Sequence, residues 1–278
     1  MLTHQRLLHY HNSILSTNYE GSAQDLDSAL RTGLWYNSIA CAEQEHVADP
    51  QPVLAHWQGM DNRDRYERNL ADPATRKQLE VNGWADTRID YHINRWGFRS
   101  DHEYEHIAEP CLVALGCSYT FGTGLHEHQV WASILAKRLG IRLVNLAVPG
   151  HGLDLSSLWL LLQGHNITQP HAVCVLEPPA GRISWMSLMN DTATSADVLK
   201  NIADKNIKMM SSMFLNSAAH TVKNYHIIKS WADSHGAPLL WDIDMSNKST
   251  TFARDLAHFG PEWQQHKADC FYSYLKNT

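Results

Sequence analysis

From residue 110 onward, short apolar runs alternate with segments of helical spacing. The runs CLVALG (111–116), RLVNLAV (142–148), HAVCVLEP (171–178) and APLLWDID (237–244) are near-continuous in Val, Leu and Ala. They lack the every-second-residue polarity of a half-exposed strand and so read as strands buried on both faces. Between them HQVWASILAKRLG, LDLSSLWLLLQG and AAHTVKNYHIIKSWADSHG repeat apolar residues at three and four positions, and a helix begun by proline, PEWQQHKADCFYSYL, follows the last strand. This order predicts a three-layer α/β/α fold around a doubly wound, mostly parallel sheet. The stretch 181–216 has no pattern that assigns it.

The first 105 residues differ, being polar, rich in His, Trp and Arg, and without a long periodic apolar segment. The change falls near Glu109–Pro110, so residues 1–109 read as an N-terminal cap or extension and residues 110–278 as the α/β domain. Within the extension, DNRDRYERNLADPATRKQLEVNG has the spacing and charge pairs of one solvated helix ending at Gly83, and TRIDYHINRWGFRS alternates like an edge strand or hairpin. Trp84, Tyr91, Trp96 and Phe98 read first as packing of the extension onto the domain, because large aromatics bury area. The alternative is a platform for a sugar ring.

Bulk properties narrow the function classes. The 278 residues suffice for one large domain with a substantial core. With 44% hydrophobic and 19% charged residues and a net charge of −6, the chain is ordinary for a soluble protein and poorly suited to a phosphate backbone, so nucleic acid is not an expected partner. The five cysteines, Cys41, Cys111, Cys117, Cys174 and Cys270, form no CxxC pair and fit neither a disulfide framework nor a zinc ribbon. The first residues lack the charged and apolar regions of a signal peptide, and no apolar run approaches the roughly 18 residues needed to span a bilayer. The expectation is a cytoplasmic protein without membrane insertion.

In an open α/β sheet the loops leaving the carboxyl ends of the strands meet in one crevice. After the first strand, GCSYTFGTG puts Ser118 two residues past Gly116, at a strand-to-helix turn. A glycine-rich turn with a serine helix cap would look the same. Near the other end, TFARDLAHFG puts Asp255 three residues before His258. A serine hydroxyl needs a base to become a nucleophile, and that base needs a carboxylate to hold its tautomer. Acid and histidine three residues apart also occur on many surface helices.

Taken in order, these segments resemble the blocks of SGNH/GDSL hydrolases, whose domain is flavodoxin-like. GCSYTFGTG resembles the Gly-Asp-Ser block, VNLAVPGHG the second block with its Asn and following glycine, and DLAH the Asp-x-x-His block. INRWGFRS is similar to segments that precede SGNH domains. The resemblance implies Ser118 as nucleophile, His258 as general base, Asp255 as its orienter, and the amides of Ser118 and Gly150 as oxyanion donors, with Gly152 the fallback for Gly150. It also implies an esterase or acetylesterase acting on a carbohydrate or other small ester, with no cofactor. One block departs: the family's third, whose Asn donates to the oxyanion, is here LEPPAGR. Losing one such donor costs about 10²–10³ in rate. Arg182 is the candidate replacement, or else a surface or substrate-carboxylate arginine.

Several alternatives compete. If an acceptor hydroxyl replaces water, the same residues make an acyltransferase. A module that keeps the fold without activity would explain the missing Asn, but not three retained polar residues. A phosphatase or nuclease would need an acidic metal cluster or a basic strip. Cys117 reads as packing rather than as the nucleophile. The pairs His126/His128 and His9/His11 lack a third placed ligand and HExxH is absent, so no metal is expected.

Overall fold

The computed structural model describes residues 51–179, 182–187, 192–197, 207–243, 245–246 and 250–277. The histidine pair at 9 and 11, Cys41 and the chain start lie outside these.

Four parallel strands form the main sheet: β3 (Cys111–Leu115), β4 (Arg142–Asn145), β5 (Pro170–Leu176) and β8 (Leu239–Asp242), in the order β4-β3-β5-β8. The chain leaves β3 for one neighbour, β4, and then crosses back to β5 on the other side. That reversal makes the carboxyl ends of β3 and β5 the switch point at which such sheets bind ligands. The expected α/β doubly wound architecture is what the protein adopts.

The continuous apolarity of β3 has a direct cause. Leu112 and Ala114 enter one core with Trp131 and Leu135 of α4 (Trp131–Leu139) and Trp263 and Phe271 of α7 (Pro261–Lys276). Cys111, Val113 and Leu115 enter a second core with Trp159 and Leu160 of α5 (Asp154–Gln163) and Ile228 and Ala232 of α6 (Ile207–Ser234). A strand that feeds two cores has no solvent face and needs apolar residues at every position.

Part of the extension belongs to the first of these cores. Strands β1 (Val53–Ala55) and β2 (Tyr91–Ile93) pair antiparallel, and Ala55, Leu79, Trp84, Ile89, Tyr91 and Ile93 pack in the same cluster as Leu112 and Ala114. Trp84, Tyr91, Trp96 and Phe98 are all buried, at 3%, 0%, 1% and 0% exposure, so none presents a ring face to a ligand. Trp96 and Phe98 instead meet Trp159 edge-on.

Two readings of local structure need correction or completion. The single helix expected before Gly83 is two, α1 (Arg63–Ala71) and α2 (Pro73–Val81). Asp72 sits between them with extended backbone, because a residue before proline avoids the helical region, and its carboxylate caps α2 through the amides of Ala74 and Thr75. In the unassigned stretch, β6 (Arg182–Ser187) and β7 (Thr192–Asp197) pair as an antiparallel ribbon. Among the described residues, no helix is long and apolar enough to cross a membrane.

Candidate active site

Ser118 is the first residue of α3 (Ser118–Phe121), a four-residue helix directly beyond β3. Gly116 makes the turn possible: a Cβ there would lie 2.2 Å from Thr120 Oγ1 and 2.9 Å from the Leu176 carbonyl, the latter being fixed backbone of β5. So short a helix cannot hold itself by its own hydrogen bonds. The surroundings hold it. Arg99, fully buried, donates from Nη1 to the carbonyls of Phe121 and Gly122 and from Nη2 to that of Leu125, with its guanidinium 4.5 Å from the Tyr91 ring centre. From β4, the Asn145 side chain donates to the Thr120 carbonyl at 3.0 Å.

Residues 251–260, between β8 and α7, bring up the other two side chains. His258 Nε2 lies 2.7 Å from Ser118 Oγ, and His258 Nδ1 lies 2.5 Å from Asp255 Oδ2. Oδ1 of Asp255 accepts the amides of Ala257 and His258 at 3.1 and 3.0 Å, so both carboxylate oxygens are engaged. Burial pushes the Asp255 carboxyl up, but the hydrogen bonds and charge of His258 with those amides more than offset it, and its pKa lies below the ordinary value. With Asp255 ionised at Nδ1, the tautomer with its proton on Nδ1 leaves Nε2 as an acceptor toward the serine hydroxyl. Ser118, Asp255 and His258 are 6%, 2% and 6% exposed, which keeps this line of groups largely out of water. The Tyr119 ring closes one side of the imidazole, centre to centre 4.9 Å.

The loop shape is itself enforced. Leu256, between acid and histidine, has φ +53, a conformation costly for a side-chain-bearing residue that persists only where its surroundings dictate it. Those surroundings include a backbone bond from Ala253 to the His258 carbonyl and one from Arg254 to the Gly124 carbonyl in the loop after α3. The Arg254 guanidinium pairs with Asp61 at 2.7 Å with both side chains buried, and it also donates to the carbonyls of His56 and Thr87. Asp61 in turn accepts from Tyr91, whose hydroxyl accepts the Gly124 amide. Arg65 donates to the Asp255 carbonyl and Trp84 to that of Phe252.

The remaining expected residues lie on two loops. Gly150 is at an exposed turn with φ +78, and Gly152 is buried with its Cβ position 2.5 Å from the Arg182 carbonyl. Arg182 therefore stands against the second-block loop, not apart from it. His151, between the two glycines, is buried, with Nδ1 on the Pro149 carbonyl at 2.8 Å and Nε2 without a partner. Cys117 is buried and reduced, one residue before the serine. Among the described residues no group of three His, Cys, Asp or Glu side chains could hold a metal ion.

No protein-family model matches this sequence, and no curated protein matches it. A solved structure entitled "Crystal Structure of TesA" is similar at 17% identity over 60% of this chain and 98% of its own, with a TM-score of 0.35. A likeness that slight carries no argument about this chain, whose α/β fold is read from its strands.

Sequence reasoning missed Arg65, Asp61, Arg99 and Arg254. Each acts through main-chain carbonyls or a buried partner distant in sequence, and no local motif marks that. Only GFRS, around Arg99, carried a signal.

Proposed function

We propose that this chain is a serine ester hydrolase of the SGNH type, which removes a small acyl group such as acetyl from a carbohydrate or other small ester through an acyl-enzyme on Ser118. The observation that carries the reading is the buried line of hydrogen bonds from Asp255 through His258 to Ser118. Each group in it has the polarity the chemistry needs. His258 Nε2 takes the Ser118 proton as Oγ attacks the ester carbonyl. Asp255, already ionised, stabilises the imidazolium that forms. The tetrahedral oxyanion is received by the amides of Ser118 and Gly150, with Gly152 the second choice for the latter. As the first residue of a helix, Ser118 has an amide that no intrahelical acceptor uses. His258 then returns the proton to the leaving alcohol, and water, activated by the same imidazole, releases the acid.

The test is hydrolysis of p-nitrophenyl esters from acetate to octanoate by wild type, Ser118→Ala and Cys117→Ala. Release of nitrophenol by wild type and Cys117→Ala, but not by Ser118→Ala, is the expected result. Equal turnover by wild type and Ser118→Ala sinks the reading.

A further inference from the structure

In a helix as short as α3 every carbonyl is a terminal one and needs an acceptor's partner from outside or from the turn that follows. The Ser118 carbonyl accepts the amides of Gly122 and Thr123 at 2.9 and 3.0 Å. The next three are taken by side chains from three different parts of the chain. Gln264 Nε2 donates to the carbonyl of Tyr119 at 3.1 Å, Asn145 to that of Thr120, and Arg99 to that of Phe121.

Gln264 is 1% exposed, and its amide has one orientation. Its Oε1 accepts the main-chain amide of Trp131 at 2.9 Å. Helix α4 opens there without a capping side chain at Val130, so Gln264 supplies the acceptor from another helix. Reversing the amide would set its nitrogen against an N–H and its oxygen against a carbonyl. The nitrogen is therefore held on Tyr119, the residue after the nucleophile.

Of the three donors, Gln264 alone stands on the element that continues the histidine loop. It lies in the first turn of α7, and its own amide donates to the carbonyl of Gly260, which caps that helix, at 3.3 Å. The Gly260 amide closes the base of the loop on the Thr251 carbonyl at 2.9 Å. Beside it, the Trp263 ring lies 5.6 Å from that of Tyr119 and 4.9 Å from that of Phe259, centre to centre. The first turn of α7 thus holds the histidine loop through its backbone and the serine helix through a side chain.

We infer that Gln264 is a positioning residue for acyl transfer: through the Tyr119 carbonyl it fixes the separation of Ser118 Oγ from His258 Nε2. The inference rests on the ester-hydrolase reading for the reaction it serves. Gln264 touches neither reacting atom, and its effect is on how closely nucleophile and base are held.

Two variants separate the two bonds of Gln264. Gln264→Glu is of the same shape and keeps an acceptor for Trp131, but when ionised it turns an oxygen toward the Tyr119 carbonyl. Gln264→Met removes both bonds. The full chain is assayed above neutral pH for kcat and KM with p-nitrophenyl acetate, and for the rate at which a fluorophosphonate labels Ser118, read by mass spectrometry. Both variants are expected to lower kcat by about tenfold or more with KM little changed, and to slow labelling in step. Near-UV circular dichroism checks folding, and the isosteric Gln264→Glu carries the test alone if Gln264→Met does not fold. Wild-type kcat and labelling in Gln264→Glu overturn the proposal, since Gln264 then serves only to cap α4, as does a loss confined to KM. A wild type that labels but does not cleave the ester still tests the positioning through the labelling rates. A wild type that does neither sinks the hydrolase reading, and the role of Gln264 falls with it.

Discussion

Nε of Arg65 donates to the main-chain carbonyl of Asp255 at 2.8 Å, joining a helix of the N-terminal segment to the acid that orients His258. The arginine touches no reacting atom, so its role is positioning. Arg65→Met is expected to lower kcat for p-nitrophenyl acetate by about tenfold with KM little changed, because small displacements of a catalytic group are expensive. Arg65→Lys, which keeps a donor, should recover much of the loss. An unchanged kcat in Arg65→Met removes the role.

Arg254 and Asp61 form a buried pair, at 2% and 1% side-chain exposure. Removing one partner strands the other charge, so Arg254→Met or Asp61→Asn should each cost about 3–5 kcal/mol. Urea unfolding at neutral pH measures this. A loss below about 1 kcal/mol, the range of exposed pairs, would mean that water reaches the site.

Much of this architecture was legible because its signals are local. Strand β3 and residues 172–176 of β5 are apolar throughout since both lie between helical layers, whereas the outer strands β4 and β8 also carry Arg142, Asn145 and Asp242; the proline at position 261 marks the start of α7 as proline marks many helices. Ser118 and the Asp255–His258 pair are similarly marked by glycine and by spacing. What bound them to the rest was not legible. Arg99 and Arg254 look like surface charges in a polar stretch, and only the fold reveals that both are 1–2% exposed. Gln264 lies within a long helix, with nothing in its neighbours to distinguish it. The break between α1 and α2 was readable from Asp72-Pro73, but the strong charge periodicity on either side suggested one helix.

Asp255→Asn should reduce kcat by about 10⁴, since an amide imposes the wrong tautomer on His258. It should also change acid stability. The Asp255 carboxyl has a pKa below its ordinary 3.8, so it holds fewer protons folded than unfolded. Its stabilisation is present above that value and is lost as pH falls through the folded one. Denaturant midpoints between neutral pH and pH values below 3.8 should therefore fall less steeply in Asp255→Asn than in wild type. Parallel profiles would show that the acid is not held as described.

His151 has the opposite charge type and the same sign of dependence. Burial, assisted by the charge of Arg182, lowers its pKa below 6.5 despite the Pro149 carbonyl. The unfolded chain then takes up this proton first, and stability is expected to fall as pH drops below 6.5. The melting temperature of His151→Gln should fall less than that of wild type over this interval. An equal fall in both would assign the slope to other groups.

The four-residue helix that presents Ser118 is held at its end by Arg99, which takes the carbonyls of Phe121, Gly122 and Leu125 and follows β2 of the small ribbon, and by Asn145 of the main sheet, which takes that of Thr120. The serine's alignment therefore rests on supports of different origin, and losing any one of them is enough to release it. On warming, inactivation should come no later than loss of the ribbon from the core it shares with Leu112 and Ala114.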